Sequence, residues 1–170
     1  TLIGFGLKKD IKVIASAKVF TGFHLVKNFA LGADACNSAR GMMVALGCVQ
    51  SLVCNTNECP VGVATQNPTL VKGLVVSNKS ERIARFQKAT VKATSEIISS
   101  AGLEHPSQLN RSHIYRRVSQ TQIQRYDEIY PYPQVGCLLT KNYPERFSLE
   151  MQESCAESFM PNAITPALSP

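Results

Sequence analysis

The spacing of apolar residues in the first part of the chain changes from that of a strand to that of a helix and back. Residues 11–16 form a short β-branched run, which predicts a buried strand. Thr21 can cap a helix that begins at Gly22, and apolar residues follow at helical spacing until Gly32. Residues 33–37 predict a second short strand. So short a crossover predicts two parallel neighbours in one sheet, joined by a right-handed connection.

The rest of the chain predicts helices and irregular segments. A helix is expected over residues 42–48, and an irregular loop rich in Asn and Thr follows it. A long amphipathic helix starts near Asn78 and stops at Gly102, and we expect it to cover an apolar face. Residues 103–119 indicate short helical pieces. Residues 126–139 contain two prolines and predict an extended segment packed along a surface.

These elements predict three parts. Residues 1–76 hold the strands and the irregular loop, residues 77–119 hold covering helices, and residues 120–170 form an extended surface segment and tail. The last residues, 160–170, are proline-punctuated and predict a loosely held tail. The chain starts at Thr1 on apolar sequence, and we expect it to be a C-terminal fragment of a longer protein.

Charge and hydropathy narrow the class of protein. The net charge of +6 comes from 18 basic and 12 acidic residues among 170, spread along the chain without a block of one sign. This distribution favours a mildly basic surface over a nucleic-acid interface. No apolar run is long enough to span a bilayer and the start carries no export signal, so a cytoplasmic protein is expected.

Two polar turns, over residues 16–22 and 37–41, follow the two predicted strands directly. The carboxyl ends of parallel strands share one edge of a sheet, which is where parallel α/β folds bind ligands. Small residues there let backbone amides approach an anion, and Lys18 and Arg40 add full positive charges. The pattern predicts a phosphate site, with two unrelated surface cations as the alternative.

Three cysteines, Cys48, Cys54 and Cys59, fall within twelve residues of the irregular loop. Thiolates are soft ligands, so zinc and iron-sulfur clusters are the candidates. A structural zinc site needs four ligands, and the loop has no C-x-x-C pair, although His24 is a possible fourth ligand. Three thiolates suit a three-iron cluster, while three buried apolar cysteines are the alternative. Structural roles are expected for the other cysteines: Cys36, Cys137 and Cys155.

Two stretches carry a resemblance to a known family: GADACNSARGMMVALGC at residues 32–48 and CNTNECPVGVATQNP at residues 54–68. They resemble the flavin-binding domain of glutamate synthase and of shorter glutamate-synthase-like proteins, and the likeness extends over about residues 11–119. The resemblance implies an α/β fold, the C-terminal part of a (β/α)8 TIM barrel, in which the two predicted strands are the seventh and eighth. It also implies FMN and a 3Fe-4S cluster as cofactors.

Site residues follow from the same resemblance by position. The implied FMN phosphate and ring-edge contacts are Ala17, Lys18, Ser38, Ala39 and Arg40. The implied cluster ligands are Cys48, Cys54 and Cys59. Substrate contacts and the catalytic base would come from earlier strands, so the resemblance assigns no catalytic residue to this chain.

The implied activity is that of an oxidoreductase that forms L-glutamate from 2-oxoglutarate and glutamine-derived ammonia, with reduced FMN as the hydride donor. Expected partners are these small-molecule substrates, an electron donor protein or domain, and a glutamine amidotransferase. No nucleic-acid or membrane partner is expected. The alternatives are a fragment without activity of its own and a structural metal-binding module.

Overall fold

The computed structural model describes residues 1–16, 18–141 and 143–162. Its strands are β1 (Ile14–Ala15), β2 (Ala35–Cys36), β3 (Tyr115–Arg117) and β4 (Ile123–Arg125). Its helices, in chain order, are α1 (Gly22–Ala30), α2 (Ala39–Leu46), α3 (Pro68–Val71), α4 (Val76–Ser100), α5 (Tyr126–Ile129) and α6 (Ser148–Glu153). Short 3-10 turns lie between several of them. None of the helices in these ranges has the length and apolar character that a membrane span requires.

Strands β1 and β2 pair in parallel, as predicted, with Ile14 opposite Ala35. An Asp side chain fixes this register at the amino end of the pair. One carboxylate oxygen of Asp34 accepts the backbone N–H of Val13 at 2.8 Å, and the backbone N–H of Asp34 donates to the carbonyl of Val13 at 2.8 Å. Since the strands are parallel and Ala15 lies opposite Cys36, the carboxyl ends of β1 and β2 lie side by side.

Helix α1 begins and ends where its sequence signals predict. The Thr21 hydroxyl oxygen accepts the backbone N–H of His24, which caps the first turn. Gly32 follows the helix with φ of +108°, a left-handed conformation that glycine adopts without a Cβ penalty.

The core of the larger compact unit, residues 12–130, lies between α1 and α4. Its fully or nearly fully buried side chains are Val26, Ala30, Ile98, Leu109 and Ile114. The two helices approach closely at Gly22, where a Cβ would lie 2.7 Å from the backbone nitrogen of Thr94. Helix α4 thus covers the apolar side of α1, as predicted from its amphipathic pattern.

The structure differs from the sequence prediction after Gly102. Strands β3 and β4 form an antiparallel hairpin, with Tyr115 opposite Arg125. Strand β3 lies within residues 103–119, where short helical pieces were predicted. Two 3-10 turns do precede it, at Pro106–Gln108 and Arg111–His113. The hairpin was missed because its positions are largely polar and exposed, so no apolar alternation marks it.

Residues 126–139 also differ from the predicted extended segment. Their first four residues form α5, whose start is fixed by the Tyr126 N–H donating to the Ile114 carbonyl at 2.9 Å. The carboxylate of Glu128 accepts the backbone N–H of Arg125 at 3.2 Å and so caps the same turn. Local capping therefore produces a helical turn before Pro131 ends it.

A second compact unit combines residues 1–11 with the chain from Pro131 onward. Its buried centre is Leu138, whose backbone N–H donates to the Gly4 carbonyl at 2.9 Å. A Cβ at Gly4 would lie 2.7 Å from the Leu138 side chain, so this contact requires glycine. The predicted tail falls mostly on residues 163–170, which lie outside the described residues. The three-part division stays a prediction beside these two units.

Candidate functional site

A cavity of about 240 Å³ opens at the carboxyl ends of β1 and β2. Both polar turns predicted from the sequence contribute to its wall. The lining residues are Ser16, Lys18, Val19, Asn37, Ala39 and Arg40. The parallel pairing of β1 and β2, joined through α1, brings these turns together, although they are about twenty residues apart in sequence.

The electrostatics of this cavity favour an anion. Lys18 and Arg40 both line it, and both residues are exposed to solvent. Helix α2 begins at Ala39 in the cavity wall, and its first turn contains no acidic residue. The amino end of a helix carries a partial positive charge and backbone N–H groups directed outward. A phosphate group of a ligand fits this combination.

Helix α2 starts three residues earlier than the predicted boundary at Met42. The earlier start matters because it places Ala39 and Arg40 in the first helical turn, within the cavity wall. Its amino-terminal flank, Ser38, makes no side-chain cap to the helix.

The resemblance implies that Ser38 contacts FMN, and in the structure its side chain has a partner within the chain. Its hydroxyl donates to the backbone carbonyl of Val19 at 2.5 Å, and the residue does not line the cavity. The bond joins the turn after β1 to the start of α2. Ala17, the remaining predicted phosphate contact, lies outside the described residues.

The cysteine loop, residues 48–67, follows α2 without a break. Gly47 ends the helix with φ of +110°, and the Cys48 N–H donates back to the Met43 carbonyl at 2.9 Å. The Cys48 sulfur accepts the backbone N–H of Gln50 at 3.4 Å. One end of α2 therefore borders the anion cavity and the other end presents Cys48.

Cys59 lies in a group of backbone amides. Its side chain is buried, and hydrogen bonds from backbone N–H groups lower the pKa of the Cys59 thiol, with Ala64 contributing most and Val61 next. Val63 and Gly62 add smaller contributions in the same direction, against the opposing effect of burial. This environment stabilises a thiolate, the form of cysteine that binds metals.

Cys54 faces the same segment of backbone. It is exposed and lines an open depression together with Val63 and Ala64. Asn57 holds this part of the loop closed, because its side-chain oxygen accepts the Gln66 N–H at 2.6 Å. An Asn side chain of the loop thus satisfies a backbone group that no helix or strand pairs.

The sulfur environments suit an iron-sulfur cluster, because N–H groups directed at Cys48 and Cys59 stabilise thiolate ligands. The three sulfurs do not converge. Over residues 1–16, 18–141 and 143–162, no three His, Cys, Asp or Glu side chains are grouped as a metal ion would require. His24 is engaged elsewhere, since its Nδ1 atom accepts the Phe20 N–H at 3.2 Å. The cluster assignment of Cys48, Cys54 and Cys59 therefore stays a prediction.

The cysteines outside the loop are all free thiols within the described ranges. Burial raises the pKa of the Cys36 thiol, and a hydrogen bond with Asn28 partly opposes this. Cys36 is thus favoured in its neutral form, in line with the structural role predicted for it.

The two predicted turns contain all of the residues that line the cavity, but sequence reasoning singled out only Lys18, Ala39 and Arg40 and left three unnamed. These are Ser16, Val19 and Asn37. The signal for Ser16 and Asn37 was available, since each directly follows a strand in a predicted polar turn. Val19 could not have been found, because an apolar residue in a turn gives no indication that it faces a ligand cavity.

Comparison with known proteins identifies the family. A family model described as the conserved region in glutamate synthase matches residues 1–104, more than half of the chain. The chain belongs to the glutamate synthase family. The match includes the anion cavity and the whole cysteine loop, and it ends just after helix α4.

Individual relatives carry the same family name. The glutamate synthase large subunit-like protein YerD of Bacillus subtilis is 36% identical over 125 residues, which cover 74% of this chain and 24% of YerD. The archaeal glutamate synthase [NADPH] of Methanocaldococcus jannaschii is 39% identical over 98 residues, which cover 58% of this chain and 19% of the relative. The ferredoxin-dependent glutamate synthase 2 of Arabidopsis thaliana is 37% identical over 70 residues, or 41% of this chain and 4% of the relative. The chain thus spans about a quarter or less of each of these family members.

Proposed function

We propose that this chain is part of an FMN and iron-sulfur oxidoreductase of the glutamate synthase type. In this proposal β1, α1, β2 and α2 are the last two βα units of a TIM barrel. The reaction proposed for the whole enzyme is formation of L-glutamate from 2-oxoglutarate and glutamine-derived ammonia. The observation that carries the proposal is the cationic cavity at the carboxyl ends of two parallel strands, in a chain that belongs to this family.

The proposed role of the cavity is to bind the FMN phosphate. Lys18 and Arg40 supply opposite charge, and the first turn of α2 supplies backbone N–H groups. Holding the phosphate fixes one end of the cofactor, which orients the remainder of the molecule toward substrate groups on other strands. Bound FMN would supply hydride transfer, and a 3Fe-4S cluster would supply one-electron transfer.

The proposed role of the loop is to hold the cluster through Cys48, Cys54 and Cys59. The backbone amides at residues 61–64 stabilise negative charge on the Cys59 sulfur before any ligand binds. An electron donor protein or domain is the partner that such a cluster requires, and an amidotransferase would provide the ammonia. Free cysteines at all six positions suit a reducing compartment such as the cytoplasm.

Metal analysis tests the cluster. The chain is purified without oxygen, its iron, acid-labile sulfide and zinc are measured, and an electron paramagnetic resonance spectrum of the oxidised sample is recorded. We expect iron, sulfide and a spin-half signal in the unchanged chain, and loss of the signal and of visible absorbance in Cys54→Ser. Cys137→Ser is the matched control and keeps both. Zinc without iron would instead support a structural metal-binding module, and an unchanged spectrum in Cys54→Ser would contradict the ligand assignment.

A further inference from the structure

The turn after β1 holds an unusual backbone conformation at Lys18. Its φ is +53°, in the left-handed region that residues with a Cβ seldom adopt. Such a conformation persists only where neighbouring contacts determine it. Lys18 is exposed, so packing of its own side chain does not hold it there.

The next residue is held firmly. Val19 is only 3% exposed, and its backbone carbonyl accepts the Ser38 hydroxyl at 2.5 Å. Ser38 immediately precedes α2, so this one bond joins the Lys18 turn to the helix end that carries Arg40. The bond spans nineteen positions in sequence and connects the two halves of the cavity wall.

Gly41 allows this contact to form. It is buried, and a Cβ there would lie 2.5 Å from the Ser38 hydroxyl oxygen and 3.1 Å from the Val19 carbonyl oxygen. Any side chain at position 41 would therefore separate the two partners. Three residues, Val19, Ser38 and Gly41, act as one structural unit behind the cavity.

We infer that Ser38 is a positioning residue rather than a phosphate ligand: its bond to Val19 sets the Lys18 turn against α2, so that Lys18 and Arg40 face a common anion. The inference rests on the proposed function for the identity of that anion. The geometry supports the inference independently. The Ser38 hydroxyl already donates its hydrogen bond to the Val19 carbonyl, and Ser38 does not line the cavity.

Hydrogen exchange tests the bond without any ligand. Exchange of the backbone amides in a peptide covering residues 18–21 is compared in the full chain and in Ser38→Ala. We expect about tenfold faster exchange in the variant, the scale of one lost hydrogen bond. Ser100→Ala is the matched control, since it removes a hydroxyl bonded to the Glu96 carbonyl at 2.7 Å on the exposed side of α4. Equal exchange in Ser38→Ala and the unchanged chain would overturn the inference.

Cofactor binding tests the positioning role. FMN and riboflavin, which lacks the phosphate, are titrated into the full chain and into Ser38→Ala, Ser38→Thr, Lys18→Ala and Lys18→Ala/Ser38→Ala. We expect Ser38→Ala to weaken FMN binding about tenfold and Ser38→Thr to restore it, because threonine keeps the hydroxyl. When Lys18 is already alanine, removal of the Ser38 hydroxyl should weaken FMN binding little further, because the hydroxyl acts through Lys18.

The outcomes separate the two proposals. If the double variant lost a further tenfold in FMN affinity relative to Lys18→Ala, Ser38 would be a direct phosphate ligand and the inference would be overturned. Faster exchange in Ser38→Ala with unchanged FMN affinity would also overturn it, because the bond would then have no bearing on the anion. Equal affinity of the unchanged chain for FMN and riboflavin would instead contradict the proposed phosphate site, while hydrogen exchange would still report on the Ser38 bond.

Discussion

At the scale of single residues, Arg40 carries the most direct prediction about binding. Arg40→Ala removes one of the two charges that line the cavity, and we expect FMN affinity to fall by about 1.5–3 kcal/mol, the scale of a hydrogen bond to a charged group. Riboflavin affinity should stay the same, because it has no phosphate. Fluorescence titration of both ligands measures the difference.

The matched control for Arg40 is Arg85→Ala. Arg85 is an exposed arginine on α4 that pairs with Glu81 at 3.6 Å and lies outside the cavity wall. It should leave FMN affinity unchanged. Equal losses in the two variants would indicate that only the net charge of the chain matters.

The Cys59 thiol predicts a pH dependence of stability. Its pKa is lowered in the fold, chiefly by the Ala64 N–H, so its contribution is fully present above the pKa of an unfolded thiol and is lost as the pH falls through the lower folded value. In metal-free, reduced protein, Cys59→Ala should therefore reduce the free energy of unfolding more at pH 9.5 than at pH 6.5. Urea denaturation at the two pH values measures this.

Cys36 provides a control of opposite sign. Burial raises its pKa, so its contribution is present at low pH and is lost as the pH rises above the unfolded value. The loss caused by Cys36→Ala should shrink from pH 6.5 to pH 9.5. The same pH trend in both variants would rule out the proposed amide stabilisation at Cys59.

Residue types alone predicted part of the candidate site. Lys18 and Arg40 could be found because each follows a strand in a polar turn, which is a local signal. The hydrogen-bond partner of Ser38 could not be found from the sequence. A serine before a helix suggests a helix cap or a ligand contact, whereas its acceptor, the Val19 carbonyl, lies nineteen positions away. The path of the cysteine loop likewise could not be predicted, because its sequence has no regular apolar periodicity.

At the scale of elements, the cysteine loop depends on Gly62. Its φ is +77°, and a Cβ there would collide with the carbonyl oxygen of Leu70 in α3. We expect Gly62→Ala to reduce the free energy of unfolding by about 1–3 kcal/mol from backbone strain, with a further loss from the collision. Thermal unfolding measures the total.

Gly32→Ala separates those two causes. Gly32 also has a positive φ, +108°, but a Cβ there would meet nothing within 4 Å. Gly32→Ala should show the backbone cost alone, and Gly62→Ala should exceed it. Equal losses would mean that α3 moves aside without cost.

Capping signals explain which elements the sequence predicted well. Thr21 and Gly32 mark both ends of α1 in the sequence, and the helix follows them. Helix α4 begins at Val76, two residues before the predicted Asn78, since it starts without a side-chain cap. The β3–β4 hairpin pairs mostly polar residues across its two strands, which leaves no alternation of apolar and polar residues to detect.

At the scale of the whole molecule, stability of the larger unit depends on the contact between α1 and α4. Ile98 is 4% exposed in that core, and Ile98→Ala should reduce the free energy of unfolding by about 2–5 kcal/mol through lost burial and a cavity. Val91→Ala on the same helix is the control, since Val91 is 49% exposed and its truncation should cost under about 1 kcal/mol. Similar losses in both would place the core elsewhere.

Helix α2 has a consequence for how this family can vary in length. The helix runs from Ala39, in the wall of the anion cavity, to Leu46, and Gly47 and Cys48 follow directly. Its eight residues extend over about 12 Å along the helix axis. One residue inserted within it would turn everything beyond by about 100° around the helix axis, and would carry Cys48 away from its present side. Insertions and deletions should therefore be absent from these eight residues in working relatives and should accumulate instead beyond Gly102, after α3 and α4, the helices that contact the cysteine loop and α2.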